Sequence, residues 1–139
     1  MKDFKIRNGL HGVPTIFVPK ASATVIEAGD LVAIDIDSLI VKAGAASTAI
    51  AYAPNGAASG ETVCEVTVGN DFELLGLQDA DAAFADAQRG DLCDLKGTTT
   101  LIIDNDTSST NVFQICLDKD AGTVGSKKNI AVKINKPLF

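Results

Sequence analysis

The sequence predicts an all-β fold, a small antiparallel β-barrel or sandwich with one short helix and an extended N-terminal arm. Three observations predict it. Apolar and polar residues alternate through stretches such as DLVAIDID and ETVCEVTVG, the period of a half-buried strand. The hydrophobic fraction, 46%, comes mainly from Ala, Val, Ile and Leu, with six Phe, one Tyr and no Trp, and β-branched packing of this kind suits strands. Finally, a Gly-Asp-Leu opening occurs at 29–31 and again at 90–92, each time leading into strand-like sequence.

The first twenty residues read as an extended arm, and 21–139 as a single β-rich domain. Pro14 and Pro19 forbid regular helix in the arm, and Gly9 and Gly12 loosen what precedes them. Between the prolines, TIFV has the length and composition of an edge strand. An arm of this kind has few ways to bury itself on its own domain, so wrapping a neighbour is an attractive use for it, with a flexible tail as the alternative. From Thr24 the signal is β. In DLVAIDID, Leu31, Ala33 and Asp35 fall on one face and Val32, Ile34 and Ile36 on the other, which is the better core candidate. SLIVKA and TAIAYA follow as short strands, the second stopped by Pro54, Asn55 and Gly56. In 61–69, Cys64, Val66 and Val68 oppose Val63, Glu65 and Thr67. FELLGL follows a turn at Asn70 and Asp71, and NIAVKIN is the last strand. The helix is expected at 79–90, with an Asp near its start as cap, Gly90 as its end, and Ala80, Ala83, Phe84 and Ala87 as a narrow apolar face.

The repeat extends beyond the Gly-Asp turn. LIV at 39–41 aligns with LII at 101–103 after a one-residue shift, and STAIAY at 47–52 with STNVFQ at 109–114 at the same shift. Each unit reads as strand, tight turn, strand, Ser/Thr loop, strand, and joints this short favour antiparallel ribbons. Duplication and convergent strand grammar both account for the likeness.

Composition narrows the function. The net charge of −6 opposes binding to nucleic acid or to an anionic membrane, and the lysines gather without interleaved aromatics. No apolar run approaches the roughly 18 residues of a membrane helix, and the N-terminus lacks the pattern of a signal peptide. Cys64, Cys93 and Cys116 form no CxxC pair, each sits in strand-like sequence, and buried free thiols in a reducing environment are expected.

Few residues offer chemistry. His11 is the sole histidine and lies in the glycine-containing arm, where nothing sets its tautomer, so it is expected to face a partner or solvent. No nucleophile elbow, phosphate loop or dinucleotide fingerprint occurs. Asp104, Asp106, Ser108 and Thr110 alternate like the start of a calcium loop, but the glycine and the closing Glu are missing, and a solvated turn is the favoured reading. Asp79, Asp81, Asp86 and Asp91 read as cap and solvent residues. The tripeptide at 89–91 matches an adhesion motif, but Asp91 is explained by the repeated turn. No catalytic, cofactor or metal site is expected.

The span VIEAGDLVAIDIDSLIVKAGAASTAIAYAPNGAASGE resembles the small capsid decoration, or cement, proteins of tailed bacteriophages. The matching residues are Gly29, Asp30, Leu31 and Val32, then Val41, Ala43, Ile50 and Ala51, followed by the turn Ser59, Gly60, Glu61 into Val63 to Val68. The resemblance implies a non-enzymatic virion protein, made in the host cytoplasm, that clamps neighbouring subunits of the major capsid protein on the outer surface of an expanded head, often as a homotrimer. The arm would then add a strand to a capsid subunit or a sister protomer, with Ile16, Phe17 and Val18 as anchors. A β-rich carbohydrate-binding module is the alternative, although one Tyr and no Trp supply its aromatic platform poorly. A tail-tube or joining protein of a phage is a further alternative, and an enzyme would need a buried carboxylate pair or metal site.

Overall fold

The computed structural model describes residues 2–9 and 12–139. The fold is antiparallel β, and three groups of strands are stacked around two main cores, with a small third cluster of Cys116, Ala121 and Ala131 beside them. A six-stranded sheet runs in the order β1 (Phe4–Asn8), β7 (Glu73–Gly76), β11 (Ala131–Ile134), β10 (Phe113–Ile115), β8 (Leu92–Lys96), β9 (Ile102–Asp104). A three-stranded sheet places β3 (Asp30–Ile34) between β4 (Ile40–Lys42) and β5 (Ala51–Ala53). The third group is a ribbon of β2 (Thr15–Pro19) and β6 (Val63–Thr67).

The middle sheet is covered on both faces, which alternation along its strands makes possible. Leu31 and Tyr52 point into the larger core with Phe4, Leu74, Leu95, Phe113, Ile115 and Val132 of the six-stranded sheet. Their neighbours Val32, Ala51 and Ala53 point the other way, to Cys64 and Val66 of the ribbon. This corrects the expected facing of β3. Leu31 and Val32 are both fully buried, whereas Ile34 is 41% and Ile36 99% exposed. The strand leaves the stack after Val32, so alternation identifies its two faces but not where cover ends.

The barrel alternative is overturned: the sheets are open. The five strands of the ribbon and middle sheet curl around the smaller core, but neither joint is a continuous ladder. Between β2 and β4 there is one isolated bridge, Lys20 to Ile40. Between β5 and β6 the Tyr52 N–H is taken by the Thr67 hydroxyl at 2.9 Å. A side chain occupies a donor that closure would need for backbone pairing.

Within the first twenty residues, the two described strands pair with their own chain. β1 lies at the edge of the six-stranded sheet against β7, and β2 pairs with β6 over its full length. Phe4 is fully buried, its ring 5.8 Å from that of Phe113. Burial of a Phe side chain contributes about 1.5–3 kcal/mol, and that gain ties β1 down.

The expected helix at 79–90 is reduced to a single 3-10 turn, Asp86–Gln88. Groups that a helix would use bond elsewhere: Phe84 N–H donates to Ser126 O (2.8 Å) and Phe84 O accepts from Gly125 N–H (2.9 Å), while the first-turn N–H groups of Ala80 and Asp81, which have no partner inside a helix, bond Lys127 O (2.8 Å) and Ile103 O (3.0 Å). Ala83 and Ala87 are exposed, while Phe84 is buried against Gly122, where even a Cβ would come within 2.6 Å of its ring. These tertiary bonds outweigh a short alanine-rich segment that is marginal as a helix.

The two similar sequence units share a topology. Each sets its first strand between its second and third, β3 between β4 and β5, and β8 between β9 and β10. Leu31 faces Tyr52, and the aligned Leu92 faces the aligned Gln114. Gly29 and Gly90 are left-handed, at φ 91° and 82°, and donate N–H bonds to Ala53 O (2.8 Å) and Ile115 O (2.9 Å), again aligned positions. A Gly is needed at both because an L side chain pays strain at such φ. The pairing of first with second strand is one residue out of step, Ala33 facing Val41 but Asp94 facing Asp104.

Candidate functional site

The surface with the features of an interaction site is the outer side of the β2–β6 ribbon. TIFV between two prolines is strand-forming sequence with no room for helix. Register places Phe17 opposite Glu65 and Pro19 opposite Val63 on one face, and Ile16 opposite Val66 and Val18 opposite Cys64 on the other. Phe17 is 73% exposed and Val63 46%, an unusual exposure for an aromatic and a β-branched residue side by side. Val18 packs against the smaller core, and Ile16, at its rim, remains 40% exposed. Glu65 accepts bonds from Thr15 Oγ1 at 2.6 Å and from Asn55 Nδ2, giving the apolar strip a satisfied polar border.

The backbone of β2 adds to this. Val68 N–H bonds Pro14 O at 3.0 Å, and Lys20 N–H bonds Thr62 O at 2.8 Å. Between these limits, antiparallel alternation gives Ile16 and Val18 to β6 and turns the N–H and C=O of Thr15 and Phe17 outward. No ladder pairs with that side of Thr15–Pro19 among the described residues. Of the four expected contact residues, Phe17 faces out, Val18 faces in, Ile16 lies on the face of Val18 but stays 40% exposed at the rim, and His11 lies outside the described residues. Sequence reading missed Val63, although the alternation of 61–69 set it opposite the buried Cys64.

The other candidate residues are engaged in structure. Arg89 is held over the Phe84 ring (4.9 Å), pairs with Asp86 and donates to Asp118 O and Lys119 O, so the 89–91 tripeptide is a fastened turn. All three cysteines are free and buried. Burial pushes the Cys93 thiol up to about 12 and that of Cys116 to about 11, which keeps both protonated. Lys20 is also buried, its ammonium donating to the carbonyls of Ala21 (2.8 Å) and Thr24.

Buried carboxylates are more varied. Asp94 Oδ1 accepts the N–H groups of Ser109, Thr110 and Asn111, each at 2.9 Å, and thereby shapes the Ser/Thr loop of the second unit. Asp3 is fully buried, with one oxygen on Leu101 N–H (3.0 Å) and the other unpartnered. Burial raises the carboxyl of Asp30, against the opposing effects of the Glu27 N–H and of Lys42, whose Nζ is 3.6 Å away.

Among the described residues, two groups have oxygen or sulfur ligand atoms all within 4.8 Å of one another: Glu73, Cys116 and Asp118, and Asp81, Asp104 and Asp106. The first already contains a cation. Arg7 bonds Glu73 at 3.1 Å and both oxygens of Asp118, and this pairing holds the Asp118 carboxyl below its usual range, against burial. In the second, Lys96 Nζ bonds one oxygen of Asp81 at 2.7 Å and lowers its carboxyl, whereas the carboxyl of Asp106 is raised by Asp104 and Asp81 beside it. The sequence placed Asp81 only among the cap and solvent residues around the expected helix. Nothing local could have placed it beside residues more than twenty positions away.

No protein family, curated protein or solved structure was found to match the chain.

Proposed function

We propose that this protein is a non-enzymatic structural component of a bacteriophage virion, one that decorates the outer surface of the head and clamps neighbouring subunits of the major capsid protein. The observation that carries the reading is the β2 edge: outward backbone donors and acceptors, flanked by exposed Ile16, Phe17 and Val63. An exposed apolar edge strand is a template for strand addition, and main-chain bonds supply affinity there with little demand on side-chain chemistry. The residues that resemble cement proteins also support it, because 29–68 forms one contiguous unit, the middle sheet with β6, on which β2 is mounted. A clamp of this kind stabilises the lattice by linkage, since it binds only the assembled form. The glycan-binding alternative gains no support. Tyr52, Phe4, Phe72, Phe84 and Phe113 are all buried, so Phe17 and Phe139 alone remain as exposed rings.

Removing residues 1–20 would be a poor test, because it deletes β1 and Phe4 from the core. Point variants avoid this. Phe17→Asp removes the apolar anchor, and Phe17→Pro removes an outward N–H without breaking the β2–β6 ladder. Wild type and variants are mixed with purified expanded and unexpanded heads, followed by sedimentation, and their oligomeric state is read by native mass spectrometry. Binding to expanded heads alone, lost at least tenfold in both variants with Tm unchanged, is the expected result. Equal binding by wild type and variants, or binding indifferent to the state of the head, would refute the assignment of this edge. Loss of a trimer in the variants would move the contact from the capsid to a sister protomer.

A further inference from the structure

The acidic group at Asp81, Asp104 and Asp106 differs from the pair of Glu73 and Asp118, and from Asp30, in lacking a sufficient counter-charge. Glu73 and Asp118 have Arg7, and Asp30 has Lys42. Here three carboxylates present oxygens within 4.8 Å of one another, and Lys96 engages a single oxygen of Asp81. With Lys96 counted, the group carries a formal charge of about −2, which one divalent cation would balance. An independent observation comes from Asp104. It is 9% exposed, its side chain is part of the group, and its buried Oδ1 has no hydrogen-bond partner. A buried carboxylate oxygen left without a donor is costly unless something positive meets it.

The surroundings hold the group in place. Asn105, itself buried, accepts the Ala82 N–H on its Oδ1 (2.9 Å) and donates from Nδ2 to Ala82 O (2.9 Å) and Gln88 Oε1 (3.2 Å). Asp81 N–H bonds Ile103 O at 3.0 Å, and Thr107 N–H closes the turn onto Asp104 O. These bonds pin the 79–85 segment to the end of β9 and fix three carboxylates on two chain segments. Asn105 is a positioning residue, since its amide is fully committed to the loop.

We propose that Asp81, Asp104 and Asp106 form a binding site for a hard divalent cation, with Ca2+ the best fit. Oxygen ligands at about 2.3–2.6 Å from an ion lie within 5 Å or so of one another, and Ca2+ tolerates an irregular set completed by water and a backbone carbonyl. Mg2+ demands a stricter octahedron and dehydrates reluctantly. The site joins the segment after β7 to the turn after β9, and an ion there cross-links them. It stands independently of the capsid reading.

The test uses the full chain after chelator treatment, titrated with CaCl2 and separately with MgCl2 by calorimetry, thermal unfolding and amide NMR. Saturable Ca2+ binding is expected at roughly 10⁻⁴–10⁻³ M, the range of weak oxygen sites. At 10 mM Ca2+ the Tm rises by about 5 °C, and amide shifts centre on 81–82 and 104–107. Asp106→Asn, an exposed position, weakens Ca2+ binding at least tenfold while the metal-free variant is as stable as wild type or more so, because a repulsion is relieved. Asp118→Asn leaves the Ca2+ response unchanged. Absence of any saturable response to Ca2+ overturns the proposal, as does a response that survives in both Asp106→Asn and Asp81→Asn, or shifts centred on Arg7 and Asp118.

Discussion

Replacing Asp94 removes one side chain and unties a whole loop. Asp94 is 5% exposed, and its Oδ1 is the acceptor for three successive backbone donors at 109–111. A hydrogen bond to a charged group contributes about 1.5–3 kcal/mol. Ser109 is exposed, so water recovers most of its bond in Asp94→Ala. Thr110 and Asn111 are half-buried, and Asn111 is held in a left-handed conformation at φ 56°. Two poorly replaced bonds give an expected loss of about 3 kcal/mol, or about 10 °C in Tm for a domain of this size. Asp94→Asn keeps an acceptor but no charge, and about half that loss is expected. The pH dependence has a definite sign. Burial alone would raise the Asp94 carboxyl, but the three N–H bonds outweigh it and set the folded value below the unfolded one. Its contribution is therefore complete above the unfolded pKa of about 4 and is lost as pH falls through the folded value. Urea unfolding of wild type, Asp94→Ala and Asp94→Asn at pH 7 and in acid measures both effects, and hydrogen exchange at 109–111 locates them. The reasoning fails if Asp94→Ala stays within about 0.5 kcal/mol of wild type, or if the wild-type advantage over Asp94→Asn does not shrink in acid.

Two further outcomes follow from close approach and burial. Gly97→Ala sets a Cβ 2.0 Å from Thr100 O at φ +106°, so a loss of at least about 3 kcal/mol is expected by urea unfolding. Gly125→Ala, at φ +84° with open space around it, should lose only about 1–2 kcal/mol from the left-handed backbone. Equal losses would show that clash at Gly97 is relieved by movement of the 97–100 turn. The buried thiols, raised in pKa by desolvation, should react negligibly with Ellman's reagent in the native protein at pH 8, and three equivalents should react in guanidinium. Fast native labelling of any cysteine would contradict its burial.

Local pattern alone determined much of this molecule. The period-two alternation of Val63–Thr67 put Cys64 and Val66 inside, and the Gly-Asp-Leu openings marked two units in each of which the first strand lies between the other two. Such features are readable because a strand's facing and a left-handed turn depend on a residue and its immediate neighbours. Other features were decided by partners distant in sequence. The 79–90 segment has helix-forming residues, but Ser126 O takes the Phe84 N–H and Gly125 N–H takes the Phe84 carbonyl that a helix would use. Ile36 continues the alternation of β3 and ends fully exposed because no layer extends over it. Sequence could not show that β1 enters the sheet, that Tyr52 N–H turns to a Thr hydroxyl and leaves the curl open, or that Asp81 comes to lie beside Asp104 and Asp106. Each depends on which surface a segment meets after collapse, and a chain reveals that only when its sheets have stacked.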